Sequence, residues 1–376
     1  MPELGKAVYR LTTDASQFHT GLKGAEAAAN SSVARIGSKL GSMGSSVAAV
    51  GSKMTRSITL PLLAIGGAAT KMALDFSEKM ELIETQAGGT GAEVKKLSGE
   101  ILDLVRSGRS FGESASSMAD GLFFVESAGF RGAEAMKILR VAAAGAALGH
   151  TSLENTAKSL TSAMKVYGKS IKDPAQAMAI LNAGVGAGKM KMEDLNAALG
   201  TKFLPVAKQF GISLEEAVSM IAQFTKVGIG AAPAATNLTQ AILKMANPTE
   251  AGAKAFKEMG LSTTSLARAM RTGGIIPALE ILKDKYEKLV DRLGKDEANQ
   301  VFFKAFGGGR TGPAILALMQ QLDGLGKSIE QVNRQKGIQT FWEMAEKATG
   351  DSADKIKKAI ESVKASMIVL GVALAP

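Results

Sequence analysis

The stretch SLEEAVSMIAQFTKVG, residues 213–228, carries the signals that decide the fold class. Ser213 and Glu216 have the spacing of a capping box, in which the hydroxyl accepts from a first-turn amide and the carboxylate reaches back to the cap. The stretch SLENTAKSLTSAMKVYG at 152–168 has the same Ser-Leu-Glu opening, and both carry Lys-Val 13 and 14 positions after the serine. These two stretches predict one helical unit that is used twice.

Further helix starts surround these units. Thr151 and Glu154 have capping-box spacing, and Asp173-Pro174 and Asn247-Pro248 place a cap residue before a first-turn proline. Alternation of apolar and polar residues occurs in KAVYRLTTDASQF at 6–18. The sequence therefore predicts an all-α fold, a compact multi-helix domain flanked by long amphipathic, coiled-coil-like helices, with at most a short strand near residues 6–13.

The first flanking helix is predicted from RSITLPLLAIGGAATKMALDFSEKMELIE at 56–84. The uncharged run between Arg56 and Lys71 is shorter than the roughly 20 apolar residues that a membrane span needs. An amphipathic helix fits better, because apolar residues recur at steps of three and four. The stripe consists of Ile58, Leu62, Ile65, Ala69, Met72, Phe76, Met80 and Ile83. Packing on a helix of the same or a neighbouring chain is the favoured interpretation, and a membrane-interactive segment is the alternative.

A second stripe occupies GIQTFWEMAEKATGDSADKIKKAIESVKASMIVLGVALAP at 337–376. Its spacing is close to a heptad, with a polar interruption at Thr349 and Ser352. The candidate coiled-coil positions are Ile338, Trp342, Ala345, Ile356, Ala359, Val363, Met367 and Leu370. Neither stripe has an evident partner of equal length within the chain, so we expect both to self-associate in bundles or to bind other proteins. The uncharged end at 365–376 suggests a fragment of a longer chain.

Four segments follow from these patterns. Residues 1–57 hold the short strand and a Gly/Ser/Ala-rich helix at 22–54, which is weak because glycine costs about 1 kcal/mol inside a helix. Residues 58–90 form the apolar amphipathic helix, 91–337 a helical core domain, and 338–376 the coiled-coil-like helix.

Composition excludes several function classes. Cysteine is absent, so the chain has no disulfide framework and no thiolate chemistry. The N-terminus MPELGKAVYR has no apolar leader, which indicates a cytoplasmic start. The net charge is +10, but lysine and arginine are dispersed among acidic residues without interleaved aromatic residues, so no specific nucleic-acid site is expected. Solvated helix faces are the favoured explanation of the charge, and attraction to an acidic enclosing surface is the alternative.

Enzyme motifs are weak. GRSFG around Ser110 matches a nucleophile elbow, and GGGRTG at 307–312 matches a dinucleotide loop, but both motifs require a preceding strand. His19 and His150 are the two histidines and lie far apart, so no metal cluster is expected. We therefore expect no catalytic residues, no cofactor and no metal.

Three stretches together resemble the core region of tail tape measure proteins of long-tailed bacteriophages. The longest is KMKMEDLNAALGTKFLPVAKQFGISLEEAVSMIAQFTKVGIGAAPAATNLTQAILKMANPTEAGAKAFKEMGL at 189–261. FKAFGGGRTGPAILALM at 303–319 follows it, and MALDFSEKMELIETQAG at 72–88 precedes it. The likeness covers about residues 72 to 322, and several segments in the right order make it specific.

The resemblance implies a structural, non-enzymatic protein of the virion. Such proteins lie in the lumen of the tail tube, set its length during assembly in the host cytoplasm, and leave ahead of the DNA. The implied partners are other copies of the chain, tail tube and tail-tip proteins, tail assembly chaperones, and the host membrane on ejection. The competing hypothesis is a membrane-facing or nucleic-acid-binding helical protein of a bacterium or prophage.

Overall fold

The computed structural model describes residues 60–374, apart from Lys172 and Arg310, and the side chains from residue 68 to 373. Within this range the chain forms eighteen α-helices and no strand. The prediction of an all-α fold is therefore confirmed. The predicted strand near 6–13 and the predicted weak helix at 22–54 lie outside the described residues.

The helices follow one another with short connections. They are α1 Leu60–Thr85, α2 Gly91–Arg106, α3 Ala115–Ser127, α4 Gly132–Gly149, α5 Leu153–Tyr167, α6 Pro174–Gly186, α7 Met192–Leu199, α8 Phe203–Gln209, α9 Leu214–Lys226, α10 Ala231–Ala246, α11 Glu250–Glu258, α12 Ser265–Gly273, α13 Ile275–Leu293, α14 Lys295–Ala305, α15 Thr311–Gln320, α16 Leu322–Gln335, α17 Ile338–Ala348 and α18 Ser352–Leu374.

Two of the predicted helix starts are confirmed in detail. Ser213 caps α9, with its hydroxyl accepting from the Glu216 amide and the Glu216 carboxylate accepting from the Ser213 amide. Asp173 caps α6 and accepts from the Ala175 amide at 2.8 Å, and Pro174 occupies the first turn.

The other two starts are wrong by one or two residues. Thr151 uses its amide to close the end of α4 on the Ala146 carbonyl, so the N-cap of α5 is Ser152. The amide of Asn247 likewise closes the end of α10 on the Leu243 carbonyl. Because Asn247 belongs to the preceding helix, the hydroxyl of Thr249 caps α11 instead.

The compact unit begins at Ala68 and extends beyond the predicted core of 91–337 on both sides. One hydrophobic cluster runs from Ala73 in α1 to Ile368 in α18. Helices α3, α4 and α5 pack against one another, α6 lies against α4, α9 and α16, and α18 lies on α2. Helix α17 packs on α4 and α6, which joins the C-terminal helices to the same core.

Glycine residues set how closely the central helices approach. A methyl group at Gly145 of α4 would lie 2.6 Å from the sulfur of Met178 in α6. At Gly184 of α6 it would lie 2.7 Å from Cβ of Val218 in α9. Both distances are shorter than real contacts to a methyl carbon. The Met178 side chain can rotate away from Gly145, but the Cβ of Val218 moves only with its helix, so the separation of α6 from α9 depends on hydrogen at Gly184.

Glu216 joins the starts of two helices that are distant in sequence. One carboxylate oxygen completes the capping box of α9, and the other accepts from the Ile275 amide at the start of α13, at 2.9 Å. Gly274 makes this approach possible, because a side chain there would lie 2.1 Å from the Glu216 carboxylate. The backbone of Gly274 also has φ +78° and ψ −161°, a region that other residues rarely adopt.

The close approach of α6 and α9 can be tested by filling it. We expect Gly184→Ala to lower the free energy of unfolding by about 1–3 kcal/mol, because the added methyl group overpacks against Val218. Gly326→Ala is the matched control, since Gly326 is exposed in α16 and a methyl group added there would have no other atom within 4 Å; it should be neutral or stabilising.

Chemical denaturation measures both changes. The double substitution Gly184→Ala with Val218→Ala should lower the free energy of unfolding by less than the sum of the two single substitutions, because Val218→Ala removes the clash. Strict additivity of the two costs would contradict the role given to this contact.

Candidate interaction surfaces

The first predicted stripe faces the core of its own chain. Ile58 lies outside the described residues, and Leu62 and Ile65 lie in α1 without described side chains. The other members are Ala69, Phe76, Met80 and Ile83, all buried, and Met72, half-buried. The expectation of no evident partner of equal length within the chain does not leave these residues free, because Phe76, Met80 and Ile83 belong to the same hydrophobic cluster as residues of α2 and α3, and Met72 packs against it. The backbone of Ala69 lies against Gly371 of α18. Whether the stripe ever self-associates stays a prediction.

Polar contacts fasten α1 and the turn after it. Lys79 forms an ion pair with Asp120 of α3. Arg131, just before α4, donates to the carbonyl oxygen of Ala87 and pairs with the carboxylate of Glu126 at 2.5 Å. One guanidinium therefore connects the α1–α2 turn to the α3–α4 turn.

Glu126 has an unusual environment for a carboxylate. Its side chain is 1% exposed, and one of its oxygens has no hydrogen-bond partner. Burial raises the pKa of Glu126 above its usual range, and the charge of Arg131 and its hydrogen bond oppose that rise. The cation of Arg131 thus compensates a buried charge as well as joining two turns.

The second predicted stripe lies on two helices instead of one. The polar interruption noted in the sequence is a break, with α17 ending at Ala348 and α18 beginning at Ser352. The hydroxyl of Thr349 donates to the Ala345 carbonyl, and the ammonium of Lys358 donates to the Thr349 carbonyl. A continuous coiled-coil-like helix over 338–376 is therefore wrong, because this local network closes one helix and anchors the next.

Members of the second stripe differ in burial. Ala345 is buried, and Trp342 is half-buried with its ring 6.0 Å from that of Phe111 and 5.2 Å from the guanidinium of Arg140. Ile338 and Ile356 are exposed, and Ala359, Val363, Met367 and Leu370 are half-buried. Helix α18 packs on the core through a different face, formed by Glu361, Ala365 and Ile368. The candidate coiled-coil positions of α18 are thus its outer side.

Exposed apolar side chains concentrate on α1 and α18. In the part of the chain that the structure describes, the exposed large apolar residues are Leu74 and Leu82 on α1, Ile356, Ile360, Val369 and Val372 on α18, and Val227, Leu243 and Ile338 elsewhere. On these two helices the sequence patterns missed five of them, which lie beside the stripes: Leu74, Leu82, Ile360, Val369 and Val372. Leu74, Leu82 and Ile360 could have been found in the sequence, because each is an apolar residue among charged neighbours on the polar face of an amphipathic helix.

The weak catalytic motifs take structural positions. Ser110 follows helix α2 and not a strand, is 1% exposed, and donates its hydroxyl hydrogen to the Glu113 carbonyl. Gly307, Gly308 and Gly309 follow helix α14, with φ near +70°, so they form a turn between two helices. Neither motif has the strand that its chemistry requires.

Acidic and histidine side chains offer no evident cofactor site. Among the described residues, no group of three or more has an arrangement that would hold a metal ion. An open groove of about 440 Å³ lies beside the start of α9, but its Glu215 pairs with Lys336 at 2.9 Å and its Glu216 caps two helices. In the same part of the chain, no helix has the length and apolar character of a membrane span.

The chain belongs to the phage-related minor tail protein family, whose model matches residues 105–307. This membership assigns it a structural role in the phage tail and associates it with the virion.

A curated relative is more specific. The chain is 25% identical over 365 residues to the tape measure protein of Pneumococcus phage Dp-1. The aligned region covers 96% of this chain and 30% of that relative. The chain therefore spans under a third of the relative's length. No solved structure matches it. The resemblance to tape measure proteins drawn from the sequence is confirmed by the family and by this relative.

The role of Arg131 can be tested by removing its charge. We expect Arg131→Met to lower the free energy of unfolding by on the order of 2 kcal/mol at pH 8, because the buried Glu126 carboxylate loses its cation. Arg131 is itself 40% exposed, which keeps the cost below that of a fully buried pair. Arg131→Lys, which keeps the charge, should lose less.

The loss of stability caused by Arg131→Met should depend on pH. A carboxyl whose pKa is raised by folding stabilises the fold below its unfolded pKa, and this contribution is lost as pH rises through the folded pKa. Without Arg131 the pKa of Glu126 rises further, so the stability deficit should shrink as pH falls from 8 toward 5. Denaturation at several pH values measures it, and adding Glu126→Gln should remove this dependence. A deficit that is constant with pH would contradict the assignment.

Proposed function

We propose that this chain is part of a tape measure that sets the length of the tail tube during assembly and leaves ahead of the DNA during genome ejection. The observation that carries the proposal is the similarity of 96% of the chain to a tape measure protein. The all-helical architecture supports it, because a helix rises about 1.5 Å per residue and converts residue number into length.

The folded domain has a separate part in this proposal. A single helix of roughly 300 residues would be about 450 Å long, whereas a compact domain of that size has a radius of gyration of about 19 Å. The unit that begins at Ala68 is compact, so it contributes little to a ruler in this state. We assign the measuring length to extended helical parts of the longer protein, and an assembly role to this domain.

The partners follow from the same role. We propose that the chain associates with other copies of itself, with tail tube and tail-tip proteins, and with tail assembly chaperones. Its sites of action are the host cytoplasm during assembly and the lumen of the tail tube in the virion. Contact of α1 with the host membrane on ejection is part of the proposal, and it requires α1 to leave the core in which Phe76 and Met80 are buried.

Paired deletions in the phage test the ruler role. An in-frame deletion in an extended helical part of the full gene should shorten the tail by about 1.5 Å per residue removed. An equal deletion within 91–337 should abolish assembly, because removing packed helices exposes a core without shortening any ruler. Electron microscopy of the particles measures both outcomes.

Tail length that does not change after a large deletion in an extended segment would refute the ruler role. It would then favour the alternative, a membrane-facing or nucleic-acid-binding helical protein. A deletion within 91–337 that rescales tails in proportion to its size would contradict the separate role of the domain.

A further inference from the structure

The outward face of α1 is acidic around two exposed leucines. Leu74 is 55% exposed and Leu82 is 43% exposed, and Glu78 and Glu81 lie exposed between them. Neither of these two carboxylates forms an ion pair or accepts a hydrogen bond within the described part of the chain. The face therefore presents apolar surface bordered by uncompensated negative charge.

The outward face of α18 has the opposite sign. Ile356 is 60% exposed and Ile360 is 49% exposed, and Lys355 and Lys357 lie beside them on the surface. The ammonium groups of Lys355 and Lys357 have no ion-pair partner among the described residues. Lys358, in contrast, is engaged with Thr349. This face presents apolar surface bordered by uncompensated positive charge.

The two faces are opposite in charge, and the shorter one can lie within the longer one. The α1 face extends over about 12 Å of helix and the α18 face over about 8 Å. Apolar side chains bordered by opposite charges are the pattern by which paired helices select partners, because like charges across the contact repel. Pairing α1 with α1 would bring the carboxylates of Glu78 and Glu81 together, and pairing α18 with α18 would bring lysines together. Pairing α1 with α18 joins opposite charges.

We propose that a second copy of this chain is the partner of these surfaces, with the Leu74–Leu82 face of α1 in one copy packed on the Ile356–Ile360 face of α18 in the other. Each copy carries both faces, so two copies can make the contact twice about a two-fold axis. The contact specifies the association with other copies that is part of the proposed function, and its test in solution can fail or succeed without deciding the ruler role.

Charge reversal in the 376-residue chain tests the proposal. Glu78→Lys with Glu81→Lys, and separately Lys355→Glu with Lys357→Glu, should each weaken self-association about tenfold, since attraction becomes repulsion. The control Glu280→Lys with Glu287→Lys makes the same change in net charge on the exposed side of α13 and should leave association unchanged. Light scattering and sedimentation measure the association, and circular dichroism verifies the helical fold of each variant.

The decisive measurement is whether self-association recovers when the two charge reversals are combined. A 1:1 mixture of the two reversed variants, and a chain that carries all four substitutions, should associate again, and association should weaken at high salt. A wild-type chain that stays monomeric at its highest soluble concentration overturns the proposal. Failure of the four-substitution chain to recover also overturns it. Unaltered self-association, together with loss of binding of the Lys355/Lys357 variant to anionic lipid vesicles, would overturn it in favour of a membrane partner.

Discussion

The arrangement of the central helices depends on how closely α6 approaches its neighbours. Gly145 and Gly184 leave room for Met178 and Val218, so side chains of one helix occupy the space above the backbone of the next. Where backbones approach this closely, the core is filled by alanine, glycine and methionine, and helix positions are set by backbone contact more than by large side chains.

Local sequence signals predicted the fold class correctly, but they predicted only some of the helix starts correctly. Ser213 and Asp173 cap helices as their sequences indicate, because each cap depends on residues within one turn. Thr151 and Asn247 are equally good cap residues by type, yet the amide of each closes the end of the preceding helix. The spacing of a capping box does not reveal which of two adjacent helices uses a given amide, and that choice is made by where the preceding helix stops.

The surfaces were harder to predict than the helices. The spacing of Phe76, Met80 and Ile83 correctly defines the buried face of α1. The cluster that this face joins extends to Ile368 of α18, and periodicity within α1 does not identify its other members. On α18 the predicted apolar face is the outer one, because a second face with Ala365 and Ile368 packs on the core. A helix with two partly apolar faces has two ways to pack, and only the rest of the fold decides between them.

Burial of the α1 stripe also determines what α1 can do outside this domain. Exposing Phe76, Met80 and Ile83 to water would cost about 1.5–3 kcal/mol for each side chain, so α1 does not present this face to solvent at equilibrium. A bilayer or another apolar surface would return most of that cost for the stripe itself, but the core surface that α1 covers would become exposed, and the polar contacts would be lost as well. Those contacts are the Lys79–Asp120 ion pair and the Arg131 bonds to Ala87 and Glu126. The proposed release of α1 on ejection would therefore have to break these charged contacts and uncover the core, while the apolar stripe determines which surfaces could take the place of the core.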